Sequence, residues 1–163
     1  MKKIAVLLIT FLSSCMLFPS CEEGDCSLTS ISLARFNFLD SRTHTAVTFP
    51  NGVTVTGIAT ISDTLSIDTV FNKAENYMSV PLSFTNKTTY VMHYTELMRD
   101  TIELIHQNIP FVSNIECGAT MFYEIESIRY TTNALDSVTL VNPRITNEET
   151  TNLHIYYHAT DTE

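Results

Sequence analysis

The sequence predicts an all-β fold, an antiparallel β-sandwich of immunoglobulin-like architecture with about seven to nine strands. Three observations carry this. Beyond Cys26 the chain is rich in Thr, Val, Ile, Tyr and Phe, with only four glycines in the whole sequence, a composition that packs well on a pleated surface. Apolar residues alternate with period two where the pattern is cleanest: Met78, Val80, Leu82 and Phe84 share one face, and Tyr77, Ser79, Pro81 and Ser83 the other. Helical periodicity is not sustained anywhere past the first 20 residues.

Taken in order, strands are expected over 30–38, 53–60, 64–69, 77–84, 90–94, 101–106, 119–130, 137–141 and 153–158. The run Tyr90, Met92, Tyr94 repeats the alternation of the run before it. Between the two, Thr85-Asn86-Lys87-Thr88 is a polar break short enough for a turn, which predicts a hairpin with the strands side by side. Within 119–130 the apolar parity changes from Met121, Tyr123 and Ile125 to Ile128 and Tyr130, which calls for a β-bulge or a move between sheets. Asn51-Gly52, Thr132-Asn133 and Asn142-Pro143 are turn signals.

The front of the chain reads differently. Lys2 and Lys3 precede an apolar run over 4–18, then Cys21 and an abrupt switch to Glu22, Glu23 and Asp25. That order of charge, apolar run and small residue suits an export signal cut just before a lipid-bearing cysteine. The run of 15 residues falls short of the roughly 20 that a helix needs to cross a hydrocarbon core. Two cysteines compete for the anchor. Leu12-Ser13-Ser14-Cys15 is the closer match to a lipoprotein cleavage box, whereas cleavage before Cys21 leaves Cys26 and Cys117 as an even pair. With Cys21 as anchor and Cys15 as the alternative, the expected organisation is a signal peptide over 1–20, a lipidated acidic tether over 21–29 and one β-sandwich domain over 30–163.

Charge narrows the partners. Nine basic residues less Lys2 and Lys3, against eighteen acidic, leave −11 on the processed chain. The remaining Lys and Arg are scattered singly, so nucleic acid is not an expected partner. With so few glycines no phosphate cradle can be built, and neither a Gly-x-Ser-x-Gly elbow nor a His-Glu-x-x-His helix is present. In an oxidising compartment Cys26 and Cys117 are expected to form a disulfide; the rival is a Cys117 nucleophile with His44, His93 or His106 as base. His154 and His158 share a strand face but stand about 13 Å apart, too far for one zinc. His93 and His106 could approach across neighbouring strands, with no third ligand evident, so no metal or cofactor is expected. Glu124 and Glu126, about 7 Å apart on one strand face, are the nearest approach to a glycosidase carboxylate pair, and equally ordinary on a solvated sheet.

The chain resembles an uncharacterised family of Bacteroidota lipoproteins. The resemblance rests on Cys21-Glu-Glu-Gly-Asp-Cys26, Ala34-Arg35-Phe36, Ser79-Val80-Pro81-Leu82, Asp100-Thr101, Ser113-Asn114-Ile115-Glu116-Cys117-Gly118 and Asn133-Ala134-Leu135-Asp136. It favours Cys21 as the anchor and implies no enzymatic activity. Four triplets, Asp63-Thr64-Leu65, Asp68-Thr69-Val70, Asp100-Thr101-Ile102 and Asp136-Ser137-Val138, look like the O-glycosylation acceptor of exported Bacteroidota proteins, making Thr64, Thr69, Thr101 and Ser137 candidate acceptors. The plainer reading is that Asp begins turns and Thr or Ser begins strands. The expected function is therefore a non-catalytic binding or structural module of the cell envelope, lipid-anchored in the outer membrane on its periplasmic or outer face, with a membrane protein or glycan as partner. The alternatives are a surface glycan binder using tyrosines such as Tyr77, Tyr130, Tyr156 and Tyr157, and a hydrolase.

Overall fold

A computed structural model describes residues 31–49, 52–61, 64–114 and 118–158. They form ten strands: β1 (Leu33–Asp40), β2 (Val53–Ile61), β3 (Thr64–Lys73), β4 (Tyr77–Pro81), β5 (Lys87–His93), β6 (Arg99–Asn114), β7 (Gly118–Tyr130), β8 (Leu135–Leu140), β9 (Arg144–Ile145) and β10 (Thr151–Tyr157). Two sheets pack as a sandwich, one of four strands in the order β4-β1-β10-β8 and one of six in the order β3-β2-β5-β6-β7-β9. All pairings are antiparallel except β1 with β10, which lie parallel at the centre of the smaller sheet. The chain passes from sheet to sheet after β1, β3, β4, β7, β8 and β9.

Alternation drives the core. Ala34, Phe36 and Phe38 of β1, Met78 and Val80 of β4, and Leu153, Ile155 and Tyr157 of β10 face Val53, Val55, Tyr90, Met92, Ile102, Leu104, Tyr123 and Ile125 of the larger sheet, all buried in one cluster. Phe36 meets Tyr90 edge-on at 5.6 Å between ring centroids, and Phe38, Phe49, Tyr94 and Tyr157 close one end with edge-to-face and tilted contacts. Each such side chain removed from water stabilises the fold by about 2 kcal/mol.

The expected hairpin of residues 77–94 does not form. β4 pairs with β1 and β5 with β2 and β6, so the two runs face one another across the core instead of lying side by side. Their alternation is satisfied equally by either arrangement, because each strand needs only one buried face. The segment between them is an arch over one end of the sandwich. The parity change in β7 is a bulge: Ile105 faces Ser127 and His106 faces Ile125, which leaves Glu126 as the extra residue. β6 is much longer than the alternation over 101–106 implied. Past Ile105, the last of its residues to pair with β5, it runs on with β7 as a projecting two-stranded ribbon that pairs with β9 only at Tyr123 and Glu124.

Candidate functional site

The buried face of β6 reads Asp100, Ile102, Leu104, His106: two apolar residues between two polar ones, all withdrawn from solvent. At its far end His106 is the middle of a hydrogen-bonded chain. Asn108 donates through Nδ2 to the carbonyls of Phe84 and Thr85, which leaves Oδ1 to accept from His106 Nδ1 at 2.9 Å. Burial lowers the pKa of the imidazole, against the smaller opposing pull of Asn108 and Glu126. A neutral ring with its proton on Nδ1 must accept at Nε2, so the Thr88 hydroxyl donates there at 2.8 Å. Thr88 Oγ1 in turn accepts from the Ser83 amide at 2.8 Å.

Hydroxyl, imidazole and amide in that order have the connectivity of a nucleophile, base and orienting group. The surroundings give it another use. Thr88 is buried, and its oxygen is already held by Ser83. Every member of the chain ends on the arch 82–86. Carbonyls in and just before the arch are taken up: Pro81 by Tyr90 Oη at 2.7 Å, Leu82 by Tyr123 Oη at 3.4 Å, Phe84 and Thr85 by Asn108, and Asn86 by the His106 amide at 3.0 Å. His106 and Asn108 are clamps that hold β4 and β5 in opposite sheets.

Asp100 does the same at the other end. Its carboxylate accepts from Thr131 Oγ1 and the Asn133 amide, both at 2.7 Å, from the Ala134 amide at 2.8 Å and from the Leu135 amide at 3.0 Å. Burial alone would raise its pKa, but the three backbone donors and the hydroxyl outweigh burial and hold the carboxyl below its ordinary value. These bonds fix the crossing from β7 to β8. Asn152, also buried, fastens a third crossing by donating to the carbonyls of Asn142 and Arg144 while accepting from the Arg35 amide.

The outer face of the four-stranded sheet carries the most varied recognition chemistry. Tyr77, Asn37, His154 and Thr139 form one row across β4, β1, β10 and β8, and Leu39, Tyr156 and Ser137 a second. The Arg35 guanidinium lies 4.1 Å over the Tyr77 ring. His44 packs its ring 5.2 Å from Tyr156 and does so with φ of 58°, a left-handed backbone that costs a non-glycine residue about 1 kcal/mol or more. The turn holding it is fixed by Asp40, whose carboxylate accepts from the amides of Arg42 and Thr43. Arg35 Nε and Asn37 Oδ1 are shielded from solvent and have no hydrogen-bond partner among the described residues.

Other residues singled out in the sequence fall as follows. Cys15, Cys21, Cys26 and Cys117, with the whole leader and tether, lie outside the described residues. Thr64 and Thr69 sit in β3 opposite Ile61 and Thr56. Thr101 is half-buried in β6, its amide bonded to Thr131 Oγ1, and the aspartate before it is the clamp just described. Ser137 is half-buried in β8 and donates to Asp136 at 3.2 Å. His93 and His106 do not meet: His93 lies at the Arg99 end of β6, bonded to Thr56 on the outer face, while His106 is in the core seven residues farther along, roughly 23 Å away. Among the described residues no three His, Cys, Asp or Glu side chains gather as a metal site would need. Of the tyrosines, Tyr77 and Tyr156 stand on the smaller sheet's outer face, Tyr157 is buried, and Tyr130 is at the end of β7 in the other sheet.

A family model described as a family of unknown function (DUF6452) matches residues 52–157. No curated protein and no solved structure matches the chain. The family match begins at the doorstep of β2 and omits β1, although β1 joins β4 to β10 and without it the smaller sheet would fall into two pieces.

Proposed function

The chain belongs to this family of unknown function, and from that premise we propose that it is a non-catalytic binding or structural module of the cell envelope, exported, cut before Cys21 and held by acyl chains in the outer membrane. The observation that carries the reading is the order of residues 1–26: two lysines, an apolar run too short to span, Cys21, then acids. Acyl chains supply about 0.8 kcal/mol per buried methylene, and residues 21–29 form a hydrated spacer. A disulfide between Cys26 and Cys117 would close a loop of about 90 residues and add roughly 4 to 5 kcal/mol, less any strain. Because Cys117 directly precedes the first residue of β7, it would tie the spacer to the ribbon and not to the core. The non-catalytic reading draws support from His106, whose hydroxyl partner Thr88 is buried and which is committed to the arch.

Labelling with palmitate tests the anchor: label enters the native protein and is lost in Cys21→Ser but retained in Cys15→Ser. Loss only in Cys15→Ser moves the anchor, and no label in any of them removes it.

A second reading, glycan binding, is favoured by one observation: the Arg35 guanidinium lies over the Tyr77 ring beside Asn37 and His154 on the outer sheet face. Rings of this kind with planar polar neighbours suit sugar faces and hydroxyls. Native gels cast with polysaccharide should retard the protein and release Tyr77→Ala; equal mobility with and without polysaccharide rejects this reading.

A further inference from the structure

Among the described residues twelve large hydrophobic side chains are exposed, and they are unevenly placed. Ile31 and Leu33 lie where the chain enters β1, Phe84 in the arch, Ile109, Phe111 and Val112 on the ribbon, and Leu140 and Val141 at the end of β8. Register puts all eight at one end of the sandwich: Leu33 pairs with Pro81, Leu153 at the start of β10 with Leu140, and Asn108 at the base of the ribbon bonds the carbonyl of Phe84. The other four, Tyr77, Leu97, Met98 and Tyr130, are at the opposite end.

Beyond Asn108 the ribbon is largely apolar on both faces. Its segment Ile109-Pro110-Phe111-Val112 is apolar without alternation, so both faces are greasy: Ile109 stands opposite Phe122, and Pro110 opposite Met121. Phe111 stacks on Phe122 at 4.6 Å but remains 42% exposed, and Val112 is 59% exposed. Two strands alone are marginal in water, and a two-faced apolar ribbon needs an apolar medium on both sides.

We propose that this end of the molecule rests on and dips into the lipid bilayer, with the ribbon around Ile109, Phe111 and Val112 and the arch residue Phe84 seated at the headgroup boundary. The occupant follows from where the tether leads. Ile31 follows the proposed acylated Cys21 by ten positions, a reach of at most about 35 Å, and it lies at this same end. The inference thus rests on the lipoprotein reading above. Glu148 and Glu149 in the β9–β10 connection flank the apolar residues, which suits a zwitterionic surface and disfavours an anionic one.

The sequence contains no tryptophan, so single introduced tryptophans report on their own surroundings. The acylated full-length protein, its acylation verified separately by mass, is placed in phosphatidylcholine vesicles whose acyl chains carry bromine, a contact quencher. Phe111→Trp is expected to emit at shorter wavelength and lose more than about half its intensity, while Leu97→Trp at the opposite end loses almost none. Phe84→Trp is the second probe should Phe111→Trp fold poorly, with the same expectation. Acylated protein that floats with the vesicles while the Phe111→Trp and Phe84→Trp emissions stay unquenched overturns the inference and leaves the anchor standing; a protein partner covering this end would give that result. Equal quenching at all positions also overturns it. Quenching confined to the ribbon and arch in protein that mass shows to be unacylated supports bilayer docking and removes the anchor.

Discussion

Asp100 and His106 lie six residues apart on the buried face of one strand, and each gives a buried polar group to a crossing between sheets. Their energetics follow from what would be stranded. Asp100→Ala leaves three backbone donors of residues 133–135 without an acceptor, and a denaturant midpoint should record a loss of about 3 kcal/mol or more. Because the folded carboxyl titrates below its ordinary value, the unfolded chain takes up the proton first as pH falls. The stabilisation is therefore complete above about pH 4 and is lost as pH drops through the folded pKa. Asp100→Asn should flatten that acid limb, and an unchanged slope between pH 5 and 2 would contradict the role. His106 runs by the same logic. Its folded pKa is lowered, so its contribution is complete above the ordinary histidine value and declines as pH falls below it. At pH 6.5, where an unperturbed imidazole is half protonated, nitrogen NMR should find His106 mostly neutral with the proton on Nδ1; a proton on Nε2 would reverse the direction of the whole chain.

At the scale of elements, the arch over 82–86 is the feature that alternation could not distinguish from a hairpin. The period-two pattern of Met78, Val80 and Leu82 and of Tyr90 and Met92 was legible, and so was the burial of each. Which sheet each strand joins depends on who takes up the carbonyls between them, and those partners are Tyr90, Tyr123, His106 and Asn108, as far as 41 residues away in sequence. Buried residues with polar tips were the available signal. By chemistry alone His106 is a candidate base, Tyr90 and Tyr123 are members of an alternating run and Asp100 opens a glycosylation-like triplet, because a sequence shows chemistry but not its distant partner. The extension of β6 was hidden for a different reason: Pro110 and the unbroken apolar run around it violate the pattern of a half-buried strand. The bulge in β7 was legible because a bulge leaves its mark in parity. Asn108→Ala frees the carbonyls of Phe84 and Thr85, and it should cost about 2 kcal/mol and speed amide exchange in the arch while leaving exchange in the Asp100-held crossing unchanged. Uniform acceleration across both crossings would show that they are not independently clamped.

For the molecule as a whole, the two ends of the sandwich are chemically unlike. One is closed by the aromatic group of Phe38, Phe49, Tyr94 and Tyr157 and the Asp100 clamp; the other carries the entering chain, the arch and the apolar ribbon. On the proposed processing and anchoring, a domain with one apolar end and a net charge of −11 once Lys2 and Lys3 are removed would take a defined orientation on a membrane, with the outer face of the four-stranded sheet turned sideways. All of this hangs on the tether. The most direct measurement is the intact mass of the native protein with fragmentation of its first residues. The expected product is a chain that starts at Cys21, carries acyl groups on that residue and lacks residues 1–20; a native chain that retains the leader, or one cut there with an unmodified Cys21, rules the anchor out.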